Sequence, residues 1–188
     1  MVLLGSKAPN RNVEQHDFFF GIAQDLQTLI PKMQAFWPEA GNTLHIDGWR
    51  EVTRVEDYKI LIHQKPAPFV PESKRLFFVN MGGYISGKLE EQHYTLLTVQ
   101  NDRKSTIKTA TLTDFFKSSS IKAIKSAAAH IDEKYGIDVD EVYKIEDLLT
   151  EEDKALYHIT LVPAATDAQP DMINLGYLKL DKVISVKP

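Results

Sequence analysis

The chain has 188 residues, no cysteine and a formal net charge of −4. The lack of cysteine excludes disulfides, thiolate zinc sites and thiol nucleophiles, and the acidic balance counts against a general binder of phosphate backbones. Hydrophobic residues at 43% against charged residues at 26% supply enough apolar side chains for a buried core, as one domain or two fused half-size units.

Val2-Leu3-Leu4 reads as a buried strand stopped by Gly5, and Ser6 to Asn12 as a loop. Gln15 to Ile22 reads as a second strand, with His16, Phe18, Phe20 and Ile22 on one face and Asp17 and Phe19 on the other. Both faces are largely apolar, which predicts a central strand. Leu26, Leu29, Ile30, Met33, Phe36 and Trp37 share a helical stripe over Gln24 to Trp37. Pro31, which lacks an N–H, predicts a kink or a restart within that helix, and Pro38 and Gly41 end it. Leu44 to Val52 is the third strand; its alternation puts His45, Asp47, Trp49 and Glu51 together. Tyr58 to His63 is the fourth.

Gln64 to Lys74 contains Pro66, Pro68 and Pro71, and its three prolines mark an extended linker. The pattern then resumes. Arg75 to Met81 is an apolar strand stopped by Gly82-Gly83, and Gln92 to Val99 is the next. Asn101 or Asp102 caps a helix running to about Phe116. Glu91-Gln92-His93 repeats Glu14-Gln15-His16. His130-Ile131-Asp132 repeats His45-Ile46-Asp47, and Tyr143-Lys144-Ile145 repeats Tyr58-Lys59-Ile60. The helix propensity of Ile121 to Lys134 competes with a strand at the second His-Ile-Asp. Thr150 caps a helical turn, and His158 to Val162 and Gly176 to Leu180 read as two added strands.

These matches in one order predict an α+β fold built by tandem duplication of a strand-strand-helix-strand-strand unit. The expected divisions are residues 1–63, a linker at 64–74, a second repeat at 75–150 and a C-terminal extension at 151–188. The two repeats form a pseudo-symmetric domain with added C-terminal strands.

Several strings in both halves carry a likeness to a known family. Glu-Gln-His-Asp-Phe-Phe-Phe-Gly, Phe-Trp-Pro-Glu-Ala and Leu-His-Ile-Asp-Gly-Trp-Arg-Glu-Val stand in the first half. Leu-Phe-Phe-Val-Asn-Met-Gly-Gly-Tyr and His-Ile-Asp-Glu-Lys-Tyr-Gly-Ile-Asp stand in the second. Over about residues 1–150 the chain resembles the bacterial family known as domain of unknown function 1543, in two copies. The resemblance implies a bacterial protein and carries no activity with it.

The chemistry-bearing candidates are the repeated polar residues Glu14, His16, Asp17, His45 and Asp47, with Glu91, His93, His130 and Asp132. If their strands are neighbours, carboxylates and imidazoles converge. His16, His45 and Asp47 would then suit a metal through nitrogen and oxygen donors, and the same set suits acid–base work. Equally, each histidine could be held by a nearby carboxylate in a network that fixes strand register. Arg11 and Lys88, at matching positions after the first strands, are anion-binding candidates beside the glycines. No Gly-x-x-x-x-Gly-Lys-Ser/Thr, Gly-x-Gly-x-x-Gly or Gly-x-Ser-x-Gly motif is present. Residues 101–125 carry six Lys/Arg against two Asp, whereas 132–153 carry ten Asp/Glu against two Lys. These read as solvated faces that pair with each other or with a second subunit, and no aromatic interleaving supports RNA binding.

No apolar run reaches the roughly 20 residues of a membrane helix, and Met1 to Gly5 lacks the features of a secretory signal. The expectation is a cytoplasmic, non-enzymatic ligand-binding or interaction protein, with a protein partner or a second copy and no named cofactor. The alternative is a metal-dependent hydrolase or related enzyme using the His/Asp/Glu cluster.

Overall fold

The apolar run that opens the chain becomes the middle of a sheet. The computed structural model describes residues 1–67, 73–84, 89–115, 137–164 and 169–183. In it β1 (Val2–Ser6) lies between β2 (Gln15–Phe19) and β3 (His45–Trp49), antiparallel to both. The last strand, β10 (Asn174–Lys179), pairs with the other side of β3. Gly5 does not stop β1; the strand runs through it to Ser6. The expected central strand is instead an edge: β2 ends the order β10-β3-β1-β2, and His16 and Asp17 are exposed on it.

Alternation along β1 turns Val2 and Leu4 to one face, where they pack with Phe19, Leu26, Leu29, Met33 and Ile46. The helix covering that face is α1 (Ile30–Phe36), entered through a 3-10 turn at Gln27–Leu29. Pro31 sits in its first turn, where a missing N–H costs nothing. The proline therefore starts the helix, the restart the sequence allowed. Burying this face leaves Leu3 and Gly5 on the opposite one.

A second sheet completes this unit. β4 (Arg54–Val55) and β5 (Tyr58–Gln64) form a hairpin, and β9 (Tyr157–Pro163) pairs along β5 from Tyr58 opposite Pro163 to Gln64 opposite Tyr157. The chain forms two compact units, one of residues 1–69 with 148–188 and the other of residues 70–147. The C-terminal residues thus belong to the first unit, supplying β9, β10 and the core side chain of Val183.

In the other unit, β6 (Arg75–Tyr84) is central between β7 (Glu91–Gln100) and β8 (Ile137–Lys144). Between β7 and β8 lies α2 (Arg103–Ala110), capped by Asp102. Val79, Met81 and Ala110 form its buried centre, with Leu96, Val139 and Val142 packed against them. Gly82-Gly83 do not end β6, which continues to Tyr84.

The two units share a register. Gly5 faces His16 on one side and His45 on the other; Gly82 faces His93 and Asp138. In each third strand one extra residue bulges opposite the central strand, so that Asp47 and then the Val139-Asp140 step are skipped in the pairing. Of the sequence matches in this region, one lies outside the described residues and one is corrected. The residue opposite Gly82 is Asp138, eight positions after His130, and His130-Ile131-Asp132 lie outside the described residues. Tyr143-Lys144 do not repeat the fourth strand: they end β8, and Ile145 opens the short helix α3 (Ile145–Leu148).

Candidate functional site

The polar cluster sits on the sheet face opposite α1, and Gly5 makes room for it. A Cβ on Gly5 would stand 2.3 Å from Asp47 Oδ2 and 2.5 Å from His45 Nε2. Only a residue without a side chain lets both groups lie over β1. Register brings His16 and His45 to the two flanks of Gly5. Asp47, the residue skipped at the bulge in β3, keeps to the His45 face, whereas Trp49, expected on that face, is turned by the extra residue to the core side opposite Val2.

The four side chains form a closed ring. His45 Nε2 is 2.9 Å from Glu14 Oε1 and 3.4 Å from Asp47 Oδ1. His16 Nε2 is 3.1 Å from Asp47 Oδ2 and 3.9 Å from Glu14 Oε2. Each carboxylate thus meets the two imidazoles through different oxygens. Exposure is graded across the ring: the His45 side chain is 4% exposed, Asp47 23%, Glu14 40% and His16 46%. The ring therefore has a buried floor and an open edge.

His45 is fixed from behind. Its Nδ1 stands 2.8 Å from the Thr43 carbonyl, and since a carbonyl only accepts, Nδ1 donates there. Thr43 is itself held, its hydroxyl donating to the Ala40 carbonyl at 2.7 Å and lying 2.7 Å from the buried Ser6 hydroxyl. On the other side, Nε2 has no partner in hydrogen-bond geometry, although it is buried; Asp47 Oδ2 is in the same position. The Tyr177 ring lies over His45 with centroids 4.3 Å apart.

The other sequence candidates fall apart from this group. Asp17 faces Leu4 across the sheet, one position out of phase with His16, and its carboxylate accepts the Phe18 N–H at 2.7 Å. His93 Nε2 lies 3.7 Å from Glu91 Oε2, on the β7 strand opposite Gly82. His130, Asp132 and Lys88 lie outside the described residues. Arg11 is exposed in the loop after β1, and Gly5 is in mid-strand, away from any turn that would complete an anion site there. Among the described residues, no group of three or more His, Asp or Glu side chains could hold a metal ion.

Tyr177 was beyond the sequence reading, because nothing in Asn174–Lys179 marks it as a neighbour of β3. Gly5 was legible as a glycine but not as the floor of the ring.

A second buried charge lies in the same unit. Asp153, fully buried, accepts from Lys32 Nζ at 2.6 Å and from the Ile22 N–H at 3.4 Å. It opens the helix α4 (Glu151–Leu156), whose N-cap is Thr150. Burial lowers the pKa of Lys32, but the hydrogen bonds and charges of Asp153 and Glu152 outweigh it and raise the pKa above the ordinary lysine value. This pair ties α4 to α1 and reads as scaffold.

Comparison with known proteins places the ring within a described segment. Residues 11–62 match the family model described as Domain of Unknown Function (DUF1543). That span contains Glu14, His16, His45 and Asp47, and lies within the first half of the chain. No curated protein matches the chain. Among solved structures, the crystal structure of a protein Il1583 from Idiomarina loihiensis is similar, with a TM-score of 0.62 at 20% identity over 95% of this chain and 94% of that one. The likeness is one of fold. The fold is α+β, and among the described residues no helix is long and apolar enough to cross a membrane.

Proposed function

We propose that the chain is a cytoplasmic, non-enzymatic binding protein of bacterial origin whose ligand site is the ring of Glu14, His16, His45 and Asp47. The observation that carries this is the graded burial of the ring. A network that served only to fix strand register would be satisfied internally, whereas here the buried His45 Nε2 and Asp47 Oδ2 meet their ring neighbours at ion-pair distances but outside hydrogen-bond geometry, beneath an open edge. Such unmet polar atoms are costly unless something completes them. The tandem duplication belongs to the same reading, supported by the shared register around Gly5 and Gly82. On this alignment Glu91, His93, Asp138 and Asp140 occupy the sequence positions that correspond to the ring residues. A protein partner or second copy remains part of the proposal.

The test is an NMR titration of isotope-labelled protein with a panel of small carboxylic acids, amines, phosphates and nucleotides. Joint shifts of the His16, His45 and Tyr177 ring signals by one class support the reading. A panel that leaves all three rings unmoved counts against it.

A second reading has one observation of its own. The half-exposed His16 imidazole lies 3.1 Å from Asp47 Oδ2, the pairing of an imidazole general base with its orienting carboxylate. Hydrolysis of model esters or phosphoesters that disappears in a folded His16→Ala variant would favour an enzyme over a binding protein.

A further inference from the structure

The ring bridges two strands that do not pair. Glu14, just before β2, and His16 within it meet His45 and Asp47 of β3, while β1 lies between the two strands. The bridge passes over Gly5, where a side chain would block it. Acids and bases alternate around it in the order Glu14, His45, Asp47, His16, so that each group touches two of the opposite kind. The start of β2 has little else to hold it. The strand is an edge, and of its residues only Phe19, at the far end, is buried. The loop ahead of it, residues 7–13, is exposed almost throughout.

We propose that the ring is a proton-operated clasp, which holds the start of β2 to the sheet while its two imidazoles are protonated and releases it when they are neutral. The proposal stands on this geometry and needs no ligand. With both imidazoles protonated, positive and negative charge alternate at separations of 2.9 to 3.9 Å, and every contact attracts. With both neutral, the carboxylates keep their charge and the ion pairs are gone. His45 Nδ1 donates to the Thr43 carbonyl in either state. Its Nε2 would then turn a lone pair toward Glu14 Oε1 at 2.9 Å. Because His45 Nε2 and Asp47 Oδ2 lie outside hydrogen-bond geometry, no neutral hydrogen bond replaces the lost attraction at the floor.

The groups around the ring do not reverse this balance. β1 brings Leu3 and Gly5 to that face and no charge. From β10, Lys179 stands in register with His45 and is exposed; its ammonium opposes protonation, against two carboxylates that favour it. Tyr177 covers His45 with an aromatic face. Asp17 is out of phase with His16, and Lys7 and Arg11 are exposed in the loop. The clasp is therefore closed between the ordinary carboxylate range near about pH 4 and the ordinary histidine range near about pH 6.5, and weakens as pH rises through the latter.

The experiment is amide hydrogen exchange of the full-length protein between about pH 5 and pH 8, with the protonation of each histidine ring read by nitrogen NMR on the same samples. Protection where Gly5–Ser6 pairs with Gln15–His16 should fall by about fivefold, the upper end for partly exposed ion pairs, in step with loss of the ring protons of His16 and His45. Protection in α1 should hold. His63 and His158, which stack on β5 and β9, titrate in wild type and variants alike, so His16→Ala and Glu14→Gln, both at exposed positions, isolate the ring. Each should remove the step while α1 stays protected. Protection at the start of β2 that is flat across this range overturns the clasp, as does a step that survives in both variants.

Discussion

At Gly5 a single added methyl tests how tightly the ring is seated. The new Cβ would press on Asp47 Oδ2 at 2.3 Å and His45 Nε2 at 2.5 Å, and His45 has no free direction because Thr43 and Tyr177 hold it. Gly5→Ala should therefore cost about 2 kcal/mol of stability and shift the His45 ring signals, both read in urea titrations monitored by NMR. The two histidines should separate by burial. His45→Ala opens a cavity and strands the Thr43 carbonyl, for about 2–3 kcal/mol. His16→Ala, at 46% side-chain exposure, should stay within about 0.5 kcal/mol of wild type. Equal losses at the two positions would mean that the ring is scaffold throughout. The sequence made Glu14, His16, His45 and Asp47 legible because two strand periods placed them on matching faces. It could not make Tyr177 legible, since that contact depends on which strand closes the sheet beside β3.

Among the elements, the helix ends give the pH dependence. The Ser105 N–H, bonded to Asp102 at 2.7 Å, holds the Asp102 carboxyl below its ordinary value of 3.8, helped by the Ser105 hydroxyl. A depressed folded value means that the cap stabilises α2 above pH 3.8 and is lost as the pH falls through the folded value. Amide exchange of α2 should accelerate below pH 3.8, and in Asp102→Ala it should already be fast at neutral pH. Lys32 works in the other direction. Its raised value means that its contribution is complete below the ordinary lysine value of 10.5 and is lost as pH rises through the folded value. Lys32→Met leaves the fully buried Asp153 without its cation, at a cost of about 3 kcal/mol. The variant should also lack the wild type's alkaline loss of stability in denaturant titrations. The Thr150 cap and the Asp102 cap were both readable from residue type. The partnership of Lys32 with Asp153 was not, because it joins positions 121 residues apart, and no local pattern records such a contact.

At the scale of the molecule, the first unit is discontinuous, and this makes its C-terminal residues part of the site. Residues 148–188 supply β10 beside β3, β9 along β5, Val183 in the core and Asp153 beneath Lys32. Read along the sequence, this stretch resembled an appendage, since it matched neither repeat. Sequence periodicity finds strands but does not say which edge each one joins, so the unit's closure was not legible. The consequence can be measured by ending the chain at residue 147. That truncation bares the hydrogen-bonding edges of β3 and β5 and removes the Tyr177 ring from His45. Three-stranded order could survive in β2-β1-β3, but its core would lose Val183 and its α1 lysine would lose its buried partner. The truncated protein should lose the dispersed amide signals of β1 and β3 together with the shifted ring signals of His45. Retention of both would show that the ring forms without the C-terminal strands, which then cover a site they do not build.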